Sequence, residues 1–220
     1  MRLLLIRHGR IVSNDLNMLD TRLPGPPLNE RGQAQAAALA QRLALVSIDA
    51  VFSSPARRAV ETAQPLARAL GLDITELPGL KELSAGDLEG QCTDGDQLDY
   101  AKMAYQWMTA SGPDYGRLPG GETRDGFLAR MDQAIAQVAA ALGEPRRGTE
   151  GPASGAPLSG TGAAASGTVP GGRPATASPA VLTAAVVSHG GAIGTWVSIR
   201  ARGGGKVASR LFHGVLPNTG

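Results

Sequence analysis

The chain has one cysteine, Cys92, among 220 residues, which excludes an intramolecular disulfide and any cysteine-rich zinc site. A reducing compartment suits such a chain. Aromatic residues make up only 4% of it, too few to supply the stacking platforms on which proteins hold unpaired bases. Long apolar runs are missing as well. The N-terminal stretch stops at Arg7, short of a secretory apolar region, and no segment has the length needed to span a bilayer. Together these absences predict a cytoplasmic protein with neither a membrane nor a nucleic acid as partner. Acidic residues are scarce in one part only. There are 14 basic and 18 acidic side chains through Glu144, against 7 and 1 from Pro145 onward. The late basic residues are scattered among Gly, Ser and Ala, the pattern of a solvated linker.

What is present is a succession of short apolar runs, each followed by a helical segment. Leu3-Leu4-Leu5-Ile6 is uninterrupted rather than alternating, as in a strand covered on both faces. Asn29 is an N-cap for an Ala- and Gln-rich helix to about Leu45. Ala50 to Ser53 reads as a second strand, with Ser54 as N-cap, Pro55 at the first helical position and Gly71 as terminator of the next helix. Ile74 to Leu77 is a further strand, Leu98 to Ala110 a helix, and Thr123 the cap of a long helix to about Leu142. Residues 144–180 collapse to Gly, Pro, Ala, Ser and Thr and cannot offset their ordering entropy by burial, so a disordered insertion is expected there. Val181 to Val187 is another buried strand, followed by a helix to about Arg200. Strands alternating with helices predict a single three-layer α/β/α domain with a mostly parallel sheet. In such sheets ligands gather at the strand carboxyl ends. His8 and His189 both follow buried strands and are expected in one cleft.

Six scattered elements, taken in order, resemble the histidine phosphatase superfamily, which includes the cofactor-dependent phosphoglycerate mutases and many small-molecule phosphatases. They are Arg7-His8-Gly9 with Asn14, the 27–34 stretch Pro-Leu-Asn-Glu-Arg-Gly-Gln-Ala, Ser53-Ser54-Pro55-Ala56-Arg57-Arg58 with Thr62, Leu80-Lys81-Glu82 with Glu89-Gly90, Pro119-Gly120-Gly121-Glu122, and Ser188-His189-Gly190-Gly191. The resemblance implies a phosphoglycerate mutase-like fold, a phosphohistidine formed on His8 and later hydrolysed, and Glu82 as general acid toward the leaving oxygen. It also implies that His189 helps to hold the phosphoryl group and that Asn14 contacts it, with Gly9 and Gly190 beside the substrate.

Elementary chemistry gives reasons for those residue types. A neutral imidazole is a nucleophile that needs no separate base near neutral pH. Phosphoryl transfer needs donors aimed at the equatorial oxygens, and guanidinium groups, here Arg7 and Arg58, supply a fixed fork that stays charged. Arg57 and Arg58 point about a quarter turn apart on one helix, so one of them faces a pocket; the family register selects Arg58. A carboxyl acting as acid near neutrality needs its pKa raised by burial or nearby negative charge. No metal-ligand spacing appears, so neither a metal nor another cofactor is expected.

Between Glu82 and Pro119 lie only 36 residues, fewer than in the family's true mutases, where a long stretch covers the bound sugar phosphate. A less enclosed site lets water reach a phosphohistidine, which favours hydrolysis of a small-molecule phosphate ester over transfer. Two alternatives stand beside it: mutase-type transfer, and a phosphate-ligand binding module with little turnover. The second is motivated by Arg10 where relatives carry an acid, by Leu88 where tryptophan is common, and by an end at Asn218-Thr219-Gly220 where relatives continue into another strand. Oligomeric state is left open. Met103, Tyr105, Trp107 and Met108 form a helical stripe that is either core or the substrate side of the pocket.

Overall fold

A computed structural model describes residues 1–109, 116–143 and 181–202. The expected insertion at 144–180 and the chain end lie outside the described residues. Four parallel strands form one sheet: β1 (Arg2–Arg7), β2 (Ala50–Ser53), β3 (Ile74–Glu76) and β4 (Thr183–Ser188), in the order β1-β4-β2-β3. The last of these described strands in sequence is thus an inner one. Every residue of its Thr-Ala-Ala-Val-Val-Ser sequence is buried, and this explains its lack of polar alternation.

Alternate side chains of the sheet feed two cores. Leu3 and Leu5 of β1 and Ala184 and Val186 of β4 pack on one face with Trp107, Phe127, Met131 and Val138. Leu4, Ile6, Ala185 and Val187 pack on the other with Ala59, Ala63 and Leu66. The helices covering the second face are α2 (Glu30–Leu43) and α3 (Arg57–Leu70); those covering the first include α4 (Asp94–Thr109), α5 (Arg124–Gly143) and α6 (Gly190–Arg202). A one-turn helix, α1 (Val12–Asp15), occupies the loop after β1. The architecture is therefore the α/β sandwich with a parallel sheet that the apolar runs predict.

Local signals were mostly followed. Asn29 caps α2, its side chain accepting from Gly32 N at 2.9 Å, and Thr123 Oγ1 accepts from Gly126 N at 3.1 Å at the start of α5. Two starts differ. Thr93 Oγ1 accepts from Asp96 N, so α4 begins four residues before Leu98. Ala56, not Ser54, is the N-cap of α3; Ser54 Oγ accepts from Ala56 N at 3.3 Å and also reaches His189, as shown below. Within α4, Met103 and Trp107 are core residues whereas Tyr105 is exposed, which resolves the stripe in favour of packing.

Candidate active site

The parallel register aligns Arg7 with Ser188 and Ser53 with Val187, so β1, β2 and β4 end at the same edge. Two backbone bonds extend the ladder one residue further, His8 N to Ser188 O (3.0 Å) and Ser54 N to Val187 O (2.8 Å). His8, Ser54 and His189 therefore emerge side by side. The two imidazoles meet edge to face with centroids 5.1 Å apart. In front of them opens a pocket of about 240 Å³, lined by Arg7, His8, Asn14, Arg58, Glu82 and Gly190 and walled by Asp20, Gln97 and Tyr100.

His8 Nδ1 lies 2.7 Å from Gly9 O. A carbonyl only accepts, so Nδ1 carries the hydrogen and Nε2 keeps its lone pair. Burial, then the positive fields of Arg58 and Arg7, lower the His8 pKa to about 3, and the ring is neutral at ordinary pH. His189 is wholly buried and its pKa is likewise held well below the usual value, first by burial and then by His8 and Arg58. Its Nε2 is 2.8 Å from Ser54 Oγ, and its Nδ1 is buried without a partner. Ser54 thus orients the second histidine, a role that its position ahead of Pro55 disguised as helix capping.

Arg58 is 1% exposed, yet its Nε and Nη1 make no hydrogen bond. The fields of Glu82, Asp20 and Glu89 offset part of the several kcal/mol of hydration such a guanidinium loses, but its open donors make an anion the natural partner. Arg57, one residue earlier, points outward and pairs with Glu61 at 2.8 Å. Arg7 lies against Gly190, where a Cβ would come within 3.1 Å of its Nε, so a glycine there leaves the guanidinium room at the pocket.

Glu82 is fixed against the start of α6. Its Oε1 accepts from Leu83 N (2.9 Å) and Ala192 N (2.6 Å), and its Oε2 accepts from Gly191 N (3.1 Å). Burial raises its pKa, while these three amides and Arg58 pull in the opposite direction. The segment carrying Glu82 is itself clamped. Arg130 on α5 donates to Gly79 O, Lys81 O and Glu82 O and makes a two-pronged pair with Glu122, whose Oε1 also accepts from Ser84 N. All five N–H groups of that guanidinium are used. In the sequence Arg130 is one more helical arginine, and nothing local signals this role.

The structure brings Arg7, His8, Arg58, Glu82, His189, Asn14 and Gly190 to one place. Asn14 accepts from Ile11 N at 3.3 Å and is one of the residues lining the pocket. Gly9 is different: its N–H donates to Thr62 Oγ1 at 2.9 Å, and a Cβ would meet Gly32 O at 2.7 Å. The close approach it permits is to the first turn of α2, and Gly9, expected beside the substrate, is not among the residues that line the pocket. Arg10 turns away to pair with Asp15. Among the described residues no group of three or more His, Cys, Asp or Glu side chains is placed to hold a metal, and no helix is long and apolar enough to cross a membrane.

The chain is 41% identical over 101 residues to the PE-PGRS family protein PE_PGRS11 of Mycobacterium tuberculosis, which covers 46% of this chain and 17% of that protein. Over 135 residues it is 33% identical to the probable phosphoglycerate mutase GpmB of Salmonella choleraesuis, 60% of each chain. The chain thus spans less than two thirds of the length of these curated relatives. Among solved structures it resembles mycobacterial hydrolase 1 (TM-score 0.62, 25% identity, 91% of this chain and 77% of that one). It also resembles a mycobacterial glucosyl-3-phosphoglycerate phosphatase (TM-score 0.60, 25% identity, 91% and 78%). A family model for branch 1 of the histidine phosphatase superfamily matches residues 3–146, and the chain belongs to that superfamily.

Proposed function

We propose that this protein is a phosphatase that hydrolyses a small-molecule phosphate monoester through a phosphohistidine on His8. The observation that carries the proposal is the buried Arg58 with two unpartnered nitrogens, Nε and Nη1, in the pocket that His8 lines. The ester's phosphoryl oxygens would take those donors, with Arg7 and the orphaned Nδ1 of His189 adding further ones. Ser54 donating to Nε2 of His189 is what would leave a hydrogen on that Nδ1. His8 Nε2 then attacks phosphorus, a P–N bond forms, and the ester P–O bond breaks in line. The leaving oxygen takes a proton from Glu82. Its Oε2 accepts only one amide, at 3.1 Å, and is the oxygen with room to carry that proton. In the second half-reaction water attacks the phosphohistidine, gives its proton to the Glu82 carboxylate and releases phosphate.

A transfer reading is favoured by one observation, the identity to a probable phosphoglycerate mutase. A weak-turnover reading is favoured by another, the three amides that favour the carboxylate form of Glu82 against the effect of burial. One experiment separates all three. Purified protein is given a panel of phosphate esters, and phosphate release is compared with phosphoglycerate interconversion in the presence of bisphosphoglycerate. Hydrolysis predicts release in excess of interconversion; the reverse indicates a mutase, and neither indicates a binder.

A further inference from the structure

The two ends of the pocket are chemically opposite. The phosphate end is built of donors: Arg7, the unpartnered nitrogens of Arg58 and the amide of Asn14. The opposite wall offers acceptors. Ser13 Oγ donates to Asp20 Oδ2 at 2.6 Å, which fixes that carboxylate, and Asp20 Oδ1 makes no hydrogen bond among the described residues. Gln97 donates its Nε2 to Asn17 O at 2.7 Å, leaving its carbonyl oxygen unspent. Tyr100 donates its hydroxyl to Leu83 O at 3.0 Å and so meets a ligand as an acceptor. Thr21 is spent, since its hydroxyl donates to Glu89 and accepts from Ala85 N. Among the described residues lining the pocket, Arg7 and Arg58 are the only cations, and both belong to the phosphate. A second anionic group on the substrate would find no positive partner and would face Asp20.

We propose that Asp20 sets substrate specificity. The pocket takes phosphomonoesters whose alcohol part is uncharged and bears hydroxyl donors, and it rejects esters with a second anionic group such as a carboxylate. This deepens the phosphatase reading and rests on it. It also separates the chain from relatives whose names carry a phosphoglycerate. The free oxygen of Asp20, the carbonyl of Gln97 and the phenol oxygen of Tyr100 would each accept from a substrate hydroxyl, and a wall with no cation to spare discriminates by what it leaves unpaired.

Glycerol 3-phosphate and 3-phosphoglycerate test this directly, because they differ by a hydroxymethyl group against a carboxylate. The expected kcat/KM ratio favours glycerol 3-phosphate by at least about tenfold in the wild type. Asp20→Asn keeps an acceptor for Ser13 and removes the charge, and it should shrink that ratio at least about fivefold, chiefly through a lower KM for phosphoglycerate. Asp20→Glu should preserve the preference. A wild-type preference for phosphoglycerate, or a ratio untouched by Asp20→Asn, overturns the proposal; the second outcome would mean that Asp20 only neutralises Arg58. p-Nitrophenyl phosphate serves as the control. If it is hydrolysed, the ratio judges Asp20 alone. If no ester is hydrolysed, the phosphatase reading has failed, and calorimetric titration of the same two esters still decides whether the pocket binds the neutral one more tightly and whether Asp20→Asn removes the difference.

Discussion

Arg58 and Arg130 are both drawn in from solvent, and the difference between their surroundings separates the two regions of this molecule. Around Arg130 every N–H has an acceptor, and the strap from Gly79 to Ser84 is tied to α5 as a result. Around Arg58 the donors Nε and Nη1 have none, and a histidine with a free lone pair stands at the same pocket. A satisfied buried cation is scaffold; an unsatisfied one marks where a ligand supplies what the protein withholds. The floor of the pocket is thus left electrostatically incomplete, while the strap that carries Glu82 is complete without substrate.

The largest effect should come from the floor. His8→Ala removes the attacking nitrogen, and kcat/KM for any hydrolysed ester should fall by at least about 10⁴-fold, measured by phosphate release. Retention of a tenth of the activity would mean that the lone pair at Nε2 is not the nucleophile. Next comes the strap. Arg130→Met strips Glu122 of its partner and leaves three carbonyls without donors, so about 3–5 kcal/mol of stability should be lost in denaturant unfolding.

Arg58→Met sharpens the contrast. It should cost about 10²–10³-fold in kcat/KM, while the melting temperature stays level or rises, because an unpaired buried charge has gone. Equal destabilisation by Arg58→Met and Arg130→Met would erase the distinction between the two regions. A further prediction concerns pH dependence. The folded-state pKa of His8 is about 3, below its unfolded value of 6.5. Its contribution to stability is therefore complete above 6.5 and is lost as pH falls toward 3. Melting temperatures across that window should decline less steeply for His8→Ala than for the wild type; parallel curves would contradict a neutral His8 in the folded protein.

The strands were legible because runs such as Leu3 to Ile6 and Val181 to Val187 have no polar interruption, and parallel strands put their carboxyl ends together. That places His8 and His189 at one edge, and the family register adds Arg58 to them. Other features were illegible for physical reasons. A serine before proline looks like a helix cap in one dimension, and only the packing of β2 against β4 turns Ser54 toward His189. A helical arginine such as Arg130 usually faces water, and nothing in its neighbours announces that five acceptors converge on it. The resemblance implies Gly9 beside the substrate, while the backbone that its missing side chain makes room for belongs to Gly32, in another element. Asp20 and Tyr100 belong to the pocket through loop and helix placement, which no local pattern encodes.

The central claim concerns one nitrogen. With p-nitrophenyl phosphate, whose leaving group needs no acid, Glu82→Gln should slow the hydrolytic half-reaction and let the phosphoenzyme accumulate. Rapid quenching into alkali followed by peptide mapping and ³¹P NMR should then find phosphate on Nε2 of His8, since Nδ1 is held by Gly9 O. Phosphate on Nδ1, on another residue, or on none while the ester is still turned over would contradict the account.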